Sequence, residues 1–143
     1  VPTFEDVVAL VRERTSYQNP LTAASTLQSD IGVYGDDMDD LLSAYSKRFG
    51  VDLSGYRWYF HTGEEGPSIG GAIFPPPDKQ VREIPITLDM LHQFAELGRW
   101  AVEYPPHEPP RHRPDIWINF GIVVFGFVVF GFVLVAGVRR CVR

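Results

Sequence analysis

The sequence predicts a mainly α protein: a small helical head with a short β-hairpin insertion, followed by one C-terminal transmembrane helix. Three observations predict it. Residues 116–138 read IWINFGIVVFGFVVFGFVLVAGV, 23 residues without a charge and with Asn119 as the single strongly polar side chain. Three upstream stretches place apolar residues at the 3.6-residue helical period. Between the second and third of these, an aromatic run and an alternating run flank a glycine-containing turn region, the pattern of a hairpin.

The apolar stretch is the clearest element. At 1.5 Å of rise per residue it extends roughly 35 Å, enough to cross a hydrocarbon core of about 30 Å. A lone strand in lipid would leave its backbone groups unpaired, so helix is the only state open to it. The 115 residues before it are too few to wrap a helix that is apolar on every face. Gly121, Gly126 and Gly131 recur every five residues, which turns each about 140° from the last and gives no single glycine face for tight self-association.

Charge follows the same division. Residues 1–115 hold all 18 acids and 10 of the 13 bases, a net charge of −8, and the tail of residues 139–143 carries Arg139, Arg140 and Arg143. An acidic head repels phosphates, which argues against nucleic acid as a partner. The single cysteine, Cys141, excludes an intramolecular disulfide and a cysteine-built metal site. Residues 1–19 lack a basic start and an apolar core, so the head is expected to stay in the cytoplasm and the chain to be tail-anchored. Arginine counting is nearly balanced, with Arg111 and Arg113 before the span and three arginines after it.

The head, residues 1–102, opens with a helix capped by Thr3, with Glu5 and Asp6 in its first turn and Phe4, Val7, Val8 and Val11 on one face, ending near Thr15. A polar loop over residues 16–29 leads to a second helix whose stripe is Met38, Leu41, Leu42, Tyr45 and Phe49, closed by Gly50. Asp36, Asp37, Asp39 and Asp40 crowd its N-terminal end, where the helix dipole favours negative charge. Four acids in five positions exceed what capping needs, and they are the candidate docking site for a basic protein surface. The third helix starts at a Thr87 cap, carries Leu88, Leu91, Phe94, Ala95 and Leu97, and ends at Gly98. The insertion before it holds an aromatic cluster of Tyr56, Trp58, Tyr59 and Phe60, read as core rather than as a binding surface.

Residues 103–115, EYPPHEPPRHRPD, hold five prolines and are expected to form an extended, semi-rigid spacer. His107 and His112 lie on it without partners at metal-ligand spacing. The four aspartates lack the glycine and distal glutamate of a calcium loop, and His61, His92 and Ser54 have no arrangement suited to nucleophilic catalysis. No catalytic residue, cofactor, metal or small-molecule substrate is therefore expected.

Asp30, Ile31, Gly32, Val33, Asp37, Leu41, Phe49 and Leu53, with the Thr87-Leu88 helix start, resemble the core motif of acyl carrier proteins, Asp-Leu-Gly-x-Asp-Ser-Leu-Asp followed by a helix ending in Phe. The resemblance implies a carrier-like helical bundle. It departs at the residue that matters most for carriers. Gly35 occupies the position of the serine that bears phosphopantetheine and Tyr34 that of the preceding acid, so the prosthetic arm has no hydroxyl to join.

A wider set of motifs comprises Gly35 to Asp37, Arg48 to Gly55, Tyr59-Phe60, Pro85 to Leu88 and Gly98 to Trp100. Together these resemble a family of small bacterial proteins, domain-of-unknown-function family 1493, over residues 26–100. The resemblance implies a carrier-like head from a Gram-negative bacterium, hence an inner-membrane location, and supplies no activity. The expected function is a membrane-anchored, non-catalytic interaction or adaptor protein. Two other readings stand beside it: a degenerate docking component of fatty-acyl or lipid metabolism, and a small membrane immunity or regulatory protein.

Overall fold

The computed structural model describes residues 1–64, 68–108 and 112–141. The chain divides into two compact units, one of Val1–Glu65 with Pro77–Glu108 and one of Gly66–Pro76 with Pro109–Arg143.

Three helices build the first unit: α1 (Phe4–Thr15), α2 (Gly35–Phe49) and α4 (Leu88–Leu97), with α1 packed on both others. Thr3 starts α1 through a reciprocal clasp. Its hydroxyl accepts from the Asp6 amide at 3.2 Å and the Asp6 carboxylate accepts from the Thr3 amide at 2.8 Å. Thr87 caps α4 by accepting from the Met90 amide at 3.1 Å. Gly50 and Gly98 end α2 and α4 at positive φ, +69° and +68°, where a side chain would be strained. The predicted stripes meet in one core: Val7 and Val11 from α1, Met38, Leu41, Leu42 and Tyr45 from α2, and Leu88, Leu91, Phe94 and Ala95 from α4 are buried together with Leu10, while Phe4, Val8 and Phe49 are partly buried against them. Leu97 departs from its expected face and is 58% exposed, since it is the last residue of α4.

The loop after α1 contributes more than polarity suggests. Residues Leu27–Ile31 form one wide turn with five-residue hydrogen-bond spacing, started by a Thr26–Asp30 clasp like that of Thr3 and Asp6. It buries Leu27 and Gln28.

The expected β-hairpin is not formed among the described residues. Trp58–Phe60 is a single tight helical turn, and residues 81–86 form no strand. Isolated pairings take its place, Thr26 with Thr87 and Asp52 with Arg99. The alternating residues that suggested a strand are instead tied down one by one: the Ile84 amide donates to the Phe60 carbonyl at 2.6 Å, and the Gln28 side chain accepts from the Ile86 amide at 2.9 Å.

The second unit consists of α5 (Pro114–Cys141) and the short α3 (Ile69–Ile73) packed against it. Over Pro114–Gly137, α5 is long and apolar enough to cross a membrane, and its most apolar 18 residues have a mean hydropathy of 2.7 with none of them buried. The predicted span of residues 116–138 falls inside α5. Nothing lies within 4 Å of a Cβ placed at Gly121, Gly126 or Gly131. Asn119 accepts from the Gly70 amide at 2.9 Å and donates to the Ser68 hydroxyl at 2.9 Å. Gly70 is required there, because a Cβ would collide with the Asp115 backbone.

Candidate functional site

The start of α2 is assembled from two distant parts of the sequence. Tyr34, the residue before it, makes no side-chain cap, and Gly35 sits at φ +49°. Its amide donates instead to the Thr62 hydroxyl at 2.7 Å, so a buried residue 27 positions downstream does the capping. Trp58, four residues before Thr62, lies on the same side of α2 as Asp36 and Asp39.

Asp36, Asp37, Asp39 and Asp40 are all exposed, with the buried Met38 at their centre. Helical geometry deals them to two sides. Asp36 and Asp39 border a cleft of about 520 Å³ with Gly35, Trp58, Thr62 and Gly63. Asp37 and Asp40 border a second cleft of about 250 Å³ with Arg14, Thr15 and Gly32. Among the described residues none of the four carboxylates is ion-paired.

The aromatic cluster divides likewise. Phe60 is buried, and Tyr56 stacks on His61 at 5.3 Å between ring centres with an interplanar angle of 10°. Trp58 and Tyr59 are half-buried, and Trp58 lines the cleft beside Asp36 and Asp39. His61 is fully buried, and its proton can be placed by hydrogen-bond accounting. The Tyr104 hydroxyl accepts from the Arg57 amide at 3.1 Å and from the Trp100 indole at 2.8 Å, so its own hydrogen goes to His61 Nε2 at 2.8 Å. His61 Nδ1 then donates to the Ile84 carbonyl at 2.7 Å. Burial pushes the imidazole down to about 4, so it is neutral at physiological pH. With both nitrogens committed, His61 acts as a strut.

His107 repeats the pattern. Nδ1 faces the Pro105 carbonyl at 2.9 Å and Nε2 the Tyr59 hydroxyl at 2.6 Å. Tyr104 and His107 thus fasten the first half of the proline-rich segment to the head, which continues to Glu108 where the sequence suggested an end at residue 102. Of the remaining candidates, His92 Nε2 lies 3.2 Å from the Pro2 carbonyl, and Ser54 donates from both its amide and its hydroxyl to Asp52. Among the described residues no group of three His, Cys, Asp or Glu side chains is placed to hold a metal.

Sequence reasoning missed Thr62, Gln28 and Tyr104. Each acts through a contact more than 25 residues away, and no local periodicity marks such a contact.

The chain is thus a compact helical domain joined to a helix long and apolar enough to cross a membrane. It belongs to the family described as Protein of unknown function (DUF1493), whose family model matches residues 4–103. That match covers the three-helix head and stops before α5. No curated protein and no solved structure matches the chain.

Proposed function

We propose that this protein is a membrane-anchored, non-catalytic interaction module whose acidic α2 start receives a basic protein surface. One observation carries the reading: Asp36 and Asp39, exposed and without ion pairs among the described residues, share a cleft with the indole of Trp58. Carboxylates beside an aromatic ring suit a guanidinium or ammonium group, through charge and through attraction to the ring face. Asp37 and Asp40 widen the acidic field on the other side of the helix. In the same reading α5 anchors the protein in a bacterial inner membrane with the head on the cytoplasmic side.

The test is affinity purification of the full chain from its native membranes, alongside the Asp36→Asn, Asp39→Asn variant. A protein that co-purifies with the wild type and is lost both from the variant and at raised salt supports the reading. A set of co-purifying proteins that ignores both changes overturns it.

A second reading is favoured by the position of Gly35. It is the first residue of α2 and borders the larger cleft, where the resemblance to acyl carriers places the arm-bearing serine. A carrier-like head without that hydroxyl would still offer an acidic helix to enzymes that dock carriers. Acyl-chain enzymes among the captured proteins would favour it.

A further inference from the structure

Residues 68–77, SIGGAIFPPP, form a charge-free, largely apolar run. Their short helix α3 belongs with α5. Gly70 lies against the Asp115 backbone, and Asn119 bonds both the Gly70 amide and the Ser68 hydroxyl. Within this unit Ile69 is 59% exposed, Ile73 62% and Phe74 46%, and on the adjoining turns of α5 Trp117 is 74% and Phe120 61% exposed. Surface of this kind, continuous with a helix built for lipid, points to lipid as its cover.

Depth agrees with that. Asn119 is the sixth residue of α5, about 7.5 Å along its axis from Pro114 at 1.5 Å per residue. Segments that lie in the membrane interface bury their apolar side about 5–10 Å into the headgroup and acyl boundary. A segment fixed to Asn119 is held at that level when α5 spans the bilayer.

Four amides in and just after α3 also have partners within the protein. The Gly70 amide bonds to Asn119 and the Gly71 amide to the Ser68 hydroxyl at 2.8 Å, while the Ala72 and Phe74 amides bond to the Ser68 and Gly70 carbonyls at 3.3 and 2.8 Å. Irregular backbone at membrane depth is tolerated only when its polar groups are satisfied by protein in this way. Asn119, the polar exception in the apolar stretch, gains a purpose: it is the bracket that holds α3.

We infer that α3 is a second membrane contact, an interfacial wedge that seats Ile69, Ile73 and Phe74 in the lipid of the head-side leaflet. The inference rests on the reading of α5 as a membrane span. The test uses the full chain with Cys141→Ser, reconstituted in phosphatidylethanolamine and phosphatidylglycerol vesicles. Single nitroxide labels are placed through Ile69→Cys or Ile73→Cys, with Phe125→Cys as the span control and Lys47→Cys as the water control. Collision with oxygen and with a water-soluble nickel chelate reports depth. Labels at 69 and 73 should be several-fold less accessible to nickel than the label at 47, with an oxygen-to-nickel ratio between those of 47 and 125. If 69 and 73 match 47 while 125 stays lipid-like, the wedge is refuted and the span stands. If 125 is also open to nickel, the span reading fails and the wedge with it.

Discussion

The Tyr104 hydroxyl donates to His61 Nε2 at 2.8 Å while accepting from the Trp100 indole and the Arg57 amide, so one phenol from the proline-rich segment closes three hydrogen bonds of the head. Tyr104→Phe removes the common partner and keeps the ring. The cost is that of leaving buried polar groups unmade, about 2–3 kcal/mol. Urea unfolding of the full chain in detergent, followed by tryptophan fluorescence, checks it. A midpoint unchanged from wild type would show that the network contributes nothing.

The same histidine sets a pH dependence. Its folded value of about 4 lies below the ordinary 6.5, so between these values the unfolded chain binds more protons than the folded one. Stability from neutral His61 is therefore fully present above about pH 6.5 and declines as pH falls toward 4, by an amount on the order of 3 kcal/mol. Nitrogen chemical shifts of the imidazole should report a neutral ring protonated on Nδ1 down to about pH 5. A ring that charges near 6.5 in the folded protein contradicts the burial argument.

Neutralising the α2 acids separates dipole complementation from docking. Asp39→Asn with Asp40→Asn should cost no more than about 1 kcal/mol of stability, the range for charges at a helix start. Association with a partner should weaken, and wild-type affinity should fall with salt because exposed charges are screened. An isotherm indifferent to both the substitutions and the salt would end the docking proposal.

Gly35 predicts a chemical silence. Incubated with a phosphopantetheinyl transferase and coenzyme A, the full chain should keep its mass, because glycine offers no hydroxyl for a phosphodiester. A gain of one phosphopantetheine would place the modification on another serine, Ser43 or Ser46 among those on α2, and return the protein to the carriers.

For topology, a reporter active only in the periplasm and fused ahead of residue 1 should be silent. Strong activity would put the head on the opposite side of the membrane.

What was legible in the sequence is what short-range physics decides. The Thr3 and Thr87 caps, the Gly50 and Gly98 stops and the apolar stripes of three helices all follow from neighbours within one or two turns, and all are present save for Leu97 at the end of α4. The four aspartates were legible as a cluster, since exposure at a helix start is local too. Their division between two clefts was not, because Trp58 and Thr62, which line one of them, come from a distant part of the sequence. The hairpin failed for the same reason. Alternating residues at 81–86 signal extended backbone, but whether that backbone finds a strand or a glutamine side chain is settled by Gln28, far away in sequence. Asn119 is legible only as the one strongly polar residue of an apolar run, because its partners Gly70 and Ser68 lie about 50 residues away in sequence.

Gln28 has a consequence for how this chain can vary. Its amide donates to the His61 carbonyl at 2.9 Å and to the Ile84 carbonyl at 3.4 Å, and His61 itself bonds to Ile84, so the two ends of the stretch between residues 61 and 84 are clasped to each other. A loop closed at its base adds little penalty when it grows, since doubling its length costs only about 0.6 kcal/mol of closure entropy. Beyond Thr62, whose hydroxyl caps α2, this stretch can therefore be lengthened or trimmed at little cost to the three-helix core, which makes it the place where new surface chemistry carries least thermodynamic risk.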